Sequence, residues 1–314
     1  MNILIFNIFL SFIIFCFILL LPKSNIYSFL IYDNINKDHS INKKTVPLIS
    51  SLTLFPPIFF YYEYDFLLIS ISLFLYLIGY LDDRINLKIK YRFFFSVILI
   101  LFLLIKFNDY RIEYLYFFDY RINFTPLSSI TISLFMILGF FHVINMSDGR
   151  NCLVIIYFIN IFIFLLFKND NYYFNYYLIT LISLFLIFIQ NYFNKSFFGN
   201  SGVLFVSIFI AMVLIYEFNK GNLSIENIFI LLYLPFFDAL RVTITRIYKK
   251  KSPFLSEKNH LHHLPRNWNL ALIILIMLFI LNNIIQLFSN FSFLIISSYS
   301  IISFLAIFNI FKRI

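Results

Sequence analysis

Eleven apolar runs follow one another along the chain with short polar loops between them: residues 3–21, 46–62, 64–81, 93–107, 127–144, 152–167, 174–190, 203–218, 225–244, 270–288 and 291–311. Each is close to the length a helix needs to cross about 30 Å of hydrocarbon. Alternating segments of about ten residues, the pattern of a membrane β-barrel, do not occur, so helices are the elements predicted. The expected fold is all-α: a polytopic integral membrane protein of about ten or eleven transmembrane helices. The loops are too short for a soluble domain and no internal repeat is visible, so residues 1–314 are read as one transmembrane domain. The first run lacks a basic segment before it and a small-residue cleavage site, and is expected to remain as a helix.

Composition agrees. Hydrophobic residues make up 61% of the chain and aromatics 22%, beyond the range of a soluble domain. Cys16 and Cys152 lie too far apart in sequence to suggest a disulfide framework or a thiolate zinc site. The net charge of +9 is dispersed between apolar runs. This excludes a nucleic-acid surface and suits a lipid bilayer or phosphorylated substrates. If all eleven runs cross, the loops at 23–45, 82–92, 145–151, 191–202 and 245–269 and the tail share one face. That face, with Arg241 at the end of the ninth run, holds 19 of the 24 Lys and Arg residues and leaves five on the other. The positive-inside rule then makes it cytoplasmic, which predicts a multi-pass protein of the inner (cytoplasmic) membrane.

The reactive side chains collect on that face. Asp82 and Asp83 are adjacent carboxylates at a membrane boundary; Mg²⁺, or Mn²⁺ in its place, or a shared proton would relieve their repulsion, and a solvated pair of loop charges is the alternative. Asn145-Met146-Ser147-Asp148-Gly149-Arg150-Asn151 adds a third carboxylate, with a glycine that permits close backbone approach and amides on either side. Phe197-Phe198-Gly199-Asn200-Ser201-Gly202 offers aromatic rings and free N–H groups at a helix start. Arg246 and three lysines precede His260, His262 and His263. That histidine spacing lacks a helical i, i+4 pair and sits among cations, so phosphate contact or proton transfer fits better than zinc. Asp238 and Arg241, three residues apart at the end of a run, are expected to pair.

Together these four loops resemble the polyprenyl-phosphate sugar-1-phosphate transferases, glycosyltransferase family 4. This superfamily includes bacterial undecaprenyl-phosphate N-acetylglucosamine-1-phosphate transferases and, more distantly, the phospho-MurNAc-pentapeptide translocase. Asp82-Asp83 matches the family's paired aspartates, and residues 145–151 its Asn-x-x-Asp-Gly-x-Asn loop. Pro235 to Val242, then Arg246 and Ser252-Pro253 through His263, resemble the branch that uses simple N-acetylated sugars. Three positions depart from the pattern: Asn200 replaces an aspartate, Ser50-Ser51 replaces a glycine pair, and Cys152 replaces a glycine.

The resemblance implies a Mg²⁺-dependent enzyme that moves a sugar 1-phosphate from a UDP-N-acetylhexosamine to polyprenyl phosphate and releases UMP. It implies that Asp82 contacts the acceptor phosphate. Asp83 and Asp148 would hold the metal, with Asn200 as a weaker ligand. Arg246, His260, His262 and His263 would hold the diphosphate, with Lys44 as a further candidate, while Asn151, Asn191 and Phe197 line the nucleotide end and Asn145 is a further substrate-binding residue. A homodimer is compatible with this reading. The metal site would lie at solvated loops, so losing either carboxylate should cost activity and leave folding intact. A secondary transporter and a catalytically weakened relative are the competing readings. Transporters usually place binding groups at mid-membrane helix breaks in repeated halves, and neither is visible here.

Overall fold

The computed structural model describes residues 2–20, 46–61, 65–117, 120–168, 173–252, 259–288 and 292–314. Lys44 and residues 253–258 of the histidine segment lie outside the described residues. In chain order the helices are α1 (Asn2–Leu20), α2 (Phe55–Tyr61), α3 (Phe66–Ile85), α4 (Ile89–Lys106), α5 (Pro126–Ser147), α6 (Leu153–Lys168), α7 (Phe174–Tyr192), α8 (Gly199–Asn219), α9 (Ile225–Tyr248), α10 (Trp268–Phe288) and α11 (Phe293–Arg313). Seven of them, α3, α5 and α7 to α11, are long and apolar enough to cross a membrane, and α1 and α6 are shorter apolar helices. The protein is an all-α polytopic membrane protein, as the apolar pattern predicts.

The run at 46–62 departs from expectation. It is not one helix: residues 46–49 are irregular, Ser50–Leu54 forms a 3₁₀ turn, and α2 has only seven residues. Its first residues are held by the loop after α7. Pro47 O accepts from Phe197 N at 2.8 Å and from Ser196 Oγ at 3.0 Å, and Phe197 O accepts from Ser50 N at 3.1 Å. These partners satisfy backbone groups that a helix would otherwise bond internally. Pro56 and Pro57, which lack N–H groups, fit the first turn of α2. At its far end the Tyr61 ring lies 5.9 Å from Tyr173, beside the start of α7. The segment therefore runs the length of α7, whose 19 residues span about 28 Å at 1.5 Å each. It covers that length with little helix.

A second departure is a hairpin between α4 and α5. Strands β1 (Tyr114–Phe117) and β2 (Tyr120–Asn123) pair antiparallel, Tyr114 opposite Asn123. Tyr114 Oη reaches Phe218 O at 3.4 Å, and the Arg121 guanidinium lies 4.1 Å from the Tyr114 ring centre. The aromatic and β-branched residues here suit a pleated surface.

Helix α8 is the central element. It is apolar all round, without a polar face, and is buried on nearly every side. It packs most extensively on α3 and α5. Against α3 the approach is so close that a Cβ on Gly79 would lie 2.4 Å from Ser201 Cα. Large apolar side chains of α1, α4, α10 and α11 face outward, as a lipid-facing surface requires.

Candidate functional site

At one face of the bundle the C-termini of α3, α5, α7, α9 and α11 meet the N-termini of α4, α6, α8 and α10, and hydrogen bonds join their loops. Asp83 in the last turn of α3 reaches α8, Asn191 in the last turn of α7 reaches Cys152 before α6, Trp268 of α10 reaches Asn151, and Ile314 after α11 accepts from Arg266 and Asn267. The candidate loops thus share one face.

Two clusters form within it. In the first, Asp82 and Asp83 belong to the last turn of α3, not to a solvated loop. Asp83 caps α8: its Oδ1 accepts from Asn200 N and its Oδ2 from Ser201 N, both at 3.0 Å. A carboxylate at this position satisfies two orphan donors and complements the positive end of the helix dipole. The expectation that Asp83 could be lost without structural cost is therefore corrected. Asp82 is buried and joined to Arg92 Nη1 of α4 at 2.5 Å. In the sequence Arg92 is one of several charges between Arg84 and the fourth apolar run. Its position in the first turn of α4, an unfavourable place for a cation, is the signal that it has a distant partner.

The second cluster is built on Asp238 of α9. Its Oδ1 accepts from Arg241 Nη2 at 2.7 Å and from Leu261 N at 3.0 Å, and its Oδ2 lies 3.0 Å from His260 Nδ1. The expected Asp238–Arg241 pair is present, and it also anchors the histidine segment. Arg246 Nη2 approaches His260 Nε2 at 3.4 Å. A guanidinium only donates, so Nε2 accepts and the proton sits on Nδ1, facing Asp238. His260 and His262 stack with ring centres 5.4 Å apart and planes 6° apart; His262 and His263 are 4.2 Å apart. Burial, with His263 and His260 beside it, holds His262 well below the usual histidine range, so the ring is neutral near pH 7.

His262 also joins this cluster to the loop after α5. A Cβ on Gly149 would lie 2.0 Å from His262 Nε2, so the imidazole occupies space that only glycine leaves open. Asp148 is exposed at the end of α5, and Asn145 O accepts from its N–H. Arg150 stacks 5.5 Å from the Trp268 ring centre, and Asn151 O accepts from Trp268 Nε1 at 3.0 Å. Asn151 Nδ2 donates to Asn194 Oδ1 at 2.5 Å. Trp268 and Asn194 were not singled out from the sequence, and neither stands in a recognisable motif.

Asn191 is buried, and its Oδ1 accepts from Cys152 N at 2.7 Å. Cys152 has φ +68°, a conformation that costs a non-glycine residue about 1 kcal/mol. This is where the resemblance leads one to expect glycine, and the backbone explains why. Burial pushes its thiol up to about 12. Phe197 is buried against Val46 and Leu48, so its ring packs on the 46–49 segment.

Asp83, Asp148 and the Asn200 amide are hard oxygen donors of the kind Mg²⁺ takes. Among the described residues no three His, Cys, Asp or Glu side chains gather closely enough to hold an ion by themselves.

A family model described as glycosyl transferase family 4 matches residues 66–217, from the start of α3 to near the end of α8. The matched region contains Asp82, Asp83, the 145–151 loop and Asn200, and ends before the histidine segment. No curated protein matches the chain.

Proposed function

The chain belongs to glycosyl transferase family 4, and from that membership we propose that it transfers a sugar 1-phosphate from a UDP-N-acetylhexosamine to polyprenyl phosphate, undecaprenyl phosphate in a bacterial membrane. In this reading an acceptor phosphate oxygen attacks the β-phosphorus. The bond from that phosphorus to the bridging oxygen breaks, UMP leaves with the oxygen, and polyprenyl-diphospho-sugar remains to start a cell-envelope glycan such as O-antigen. The single observation that carries the reading is the junction of His262 with Gly149, which brings the histidine segment onto the Asp148 loop.

Such a transfer demands alignment and charge neutralisation more than covalent help from the protein. Arg246 and His263 would bind the diphosphate, and His260, whose two ring nitrogens are engaged by Asp238 and Arg246, would position the Arg246 guanidinium. Neutral His262 would donate a hydrogen bond without adding charge, and its stacking on His260 fixes its plane. Asp238 keeps the His260 proton on Nδ1 and leaves Nε2 as an acceptor for Arg246, which holds the guanidinium at the site. The acceptor phosphate would sit at Arg92, with Asp82 fixing the guanidinium; a phosphate monoester is already largely ionised at pH 7, so Asp82 need not act as a base. Asp83, Asp148 and Asn200 would hold Mg²⁺, which neutralises phosphate charge when bound. Asn151 and Asn191 would shape the nucleotide end, with Asn145 a further substrate contact. The polyprenyl tail would lie along the apolar helices with its head at the cytoplasmic face of the inner membrane.

Purified protein with Mg²⁺, undecaprenyl phosphate and a panel of UDP-sugars should release UMP with at least one N-acetylhexosamine donor. Lack of release with every donor would reject the proposal. Asn200 favours a second reading, a weakened enzyme, because an amide attracts a cation less than a carboxylate does. Asn200→Asp is expected to lower the Mg²⁺ concentration for half-maximal turnover several-fold; an unchanged metal titration would remove Asn200 from the site.

A further inference from the structure

On the opposite face from the site described above lies a cavity of about 470 Å³, between the end of α6, the turn before α9, the end of α10 and the start of α11. Its polar lining includes Lys168, Glu226, Asn227, Gln286 and Ser292, and Ile230, Ile285 and Ile296 line it as well. One cation and one anion thus face a single space that also has apolar wall.

The amide of Gln286, in the cavity wall, carries an unmet donor. Ser224 N donates to Asn227 Oδ1 at 3.1 Å, which fixes the Asn227 amide with its Nδ2 turned away. That Nδ2 donates to Gln286 Oε1 at 3.4 Å, so Gln286 is fixed in turn, with Nε2 as its remaining group. Gln286 is 4% exposed, and its Nε2 has no hydrogen-bond partner among the described residues. A buried donor left unpaired is costly, most of all beside hydrocarbon. A cavity-bound acceptor would complete it.

We propose that this cavity binds the headgroup of a zwitterionic phospholipid with a primary ammonium, the phosphoethanolamine type. The phosphate oxygens accept from Gln286 Nε2 and the Lys168 ammonium. The lipid ammonium donates to the Glu226 carboxylate. A wholly anionic headgroup meets Glu226 without compensation, and a quaternary ammonium has no N–H to give it. The three isoleucines continue into the acyl region. No residue here belongs to the transferase site, so the inference does not depend on the proposed reaction.

The test uses the full chain, delipidated in detergent and titrated with phosphatidylethanolamine, phosphatidylcholine, phosphatidylglycerol or free phosphoethanolamine, with bound lipid counted by native mass spectrometry. Phosphatidylethanolamine is expected to bind at least fivefold more tightly than the other two lipids. Glu226→Gln should remove the preference over phosphatidylcholine, and Lys168→Met and Gln286→Met should weaken binding at least fivefold. Binding of free phosphoethanolamine as tight as that of the lipid would overturn the lipid as occupant in favour of a soluble ligand. Equal binding of all three lipids, or wild-type binding by Glu226→Gln and Lys168→Met, both at sites open to solvent, would overturn the proposal. UMP release by the same variants should match wild type.

Discussion

Asp83 joins folding to chemistry in one side chain. Its carboxylate holds the first turn of α8 through two backbone N–H groups and is also the proposed metal ligand. Asp83→Ala should therefore abolish transfer and also destabilise the protein by about 1–2 kcal/mol, the usual worth of a helix cap. Asp148 is exposed and caps no helix start, so Asp148→Ala should abolish transfer with a smaller loss of thermal stability than Asp83→Ala. Equal thermal midpoints for the two variants in detergent would show that the cap carries no weight. His262 makes a different prediction. Its folded proton affinity is depressed by burial, so the unfolded chain binds the proton more readily. The stability it contributes is whole above its unfolded value of about 6.5 and is lost as pH falls from there toward the folded value. The thermal midpoint of wild type should drop below pH 6.5 more steeply than that of His262→Gln; parallel pH profiles would refute the assignment.

Helix α8 is placed by its neighbour α3. Where they cross, Gly79 meets the backbone of Ser201, which no rotamer change can relieve. Gly79→Ala should separate the helices, cost about 1–3 kcal/mol as overpacking does, and pull Asp83 from its cap, so that stability and turnover fall together. Wild-type melting and turnover would contradict that account. The crossing also marks what a sequence reveals. Helices α3, α5, α7 and α9 were legible within a few residues, because their apolar length announces them. The start of α8 was expected at Val203 and lies at Gly199, because the donor-satisfying carboxylate is 117 residues away and leaves no local trace. The second apolar run has the length of a span but folds mostly as 3₁₀ and irregular chain, since its partners are the carbonyl and amide of Phe197. The pairing of Asp82 with Arg92 and of His260 with Asp238 was likewise hidden, whereas the residue types that form the site were visible as motifs.

At the scale of the whole molecule, sidedness decides whether the site can meet its substrates. A UDP-sugar is made in the cytoplasm, while the polyprenyl carrier stays in the bilayer, so the proposed reaction requires the helix ends that carry Asp83, Asp148 and His262 to face inward. The uneven distribution of Lys and Arg predicts that orientation, because translocating basic loops is disfavoured. Crossing by the short α2 segment is essential to it: were residues 46–61 to turn back, α1 would lie reversed relative to the rest. In a Cys16→Ser background, Lys195→Cys and Arg266→Cys, exposed at the site face, should react with a membrane-impermeant maleimide only after cells are opened. Lys220→Cys, at the far end of α8, should react in intact cells. Cys152 stays silent in both, its buried thiol being protonated at any labelling pH. Labelling of Lys195→Cys from outside would place the phosphate-binding loops away from the donor pool and leave the transfer without a substrate.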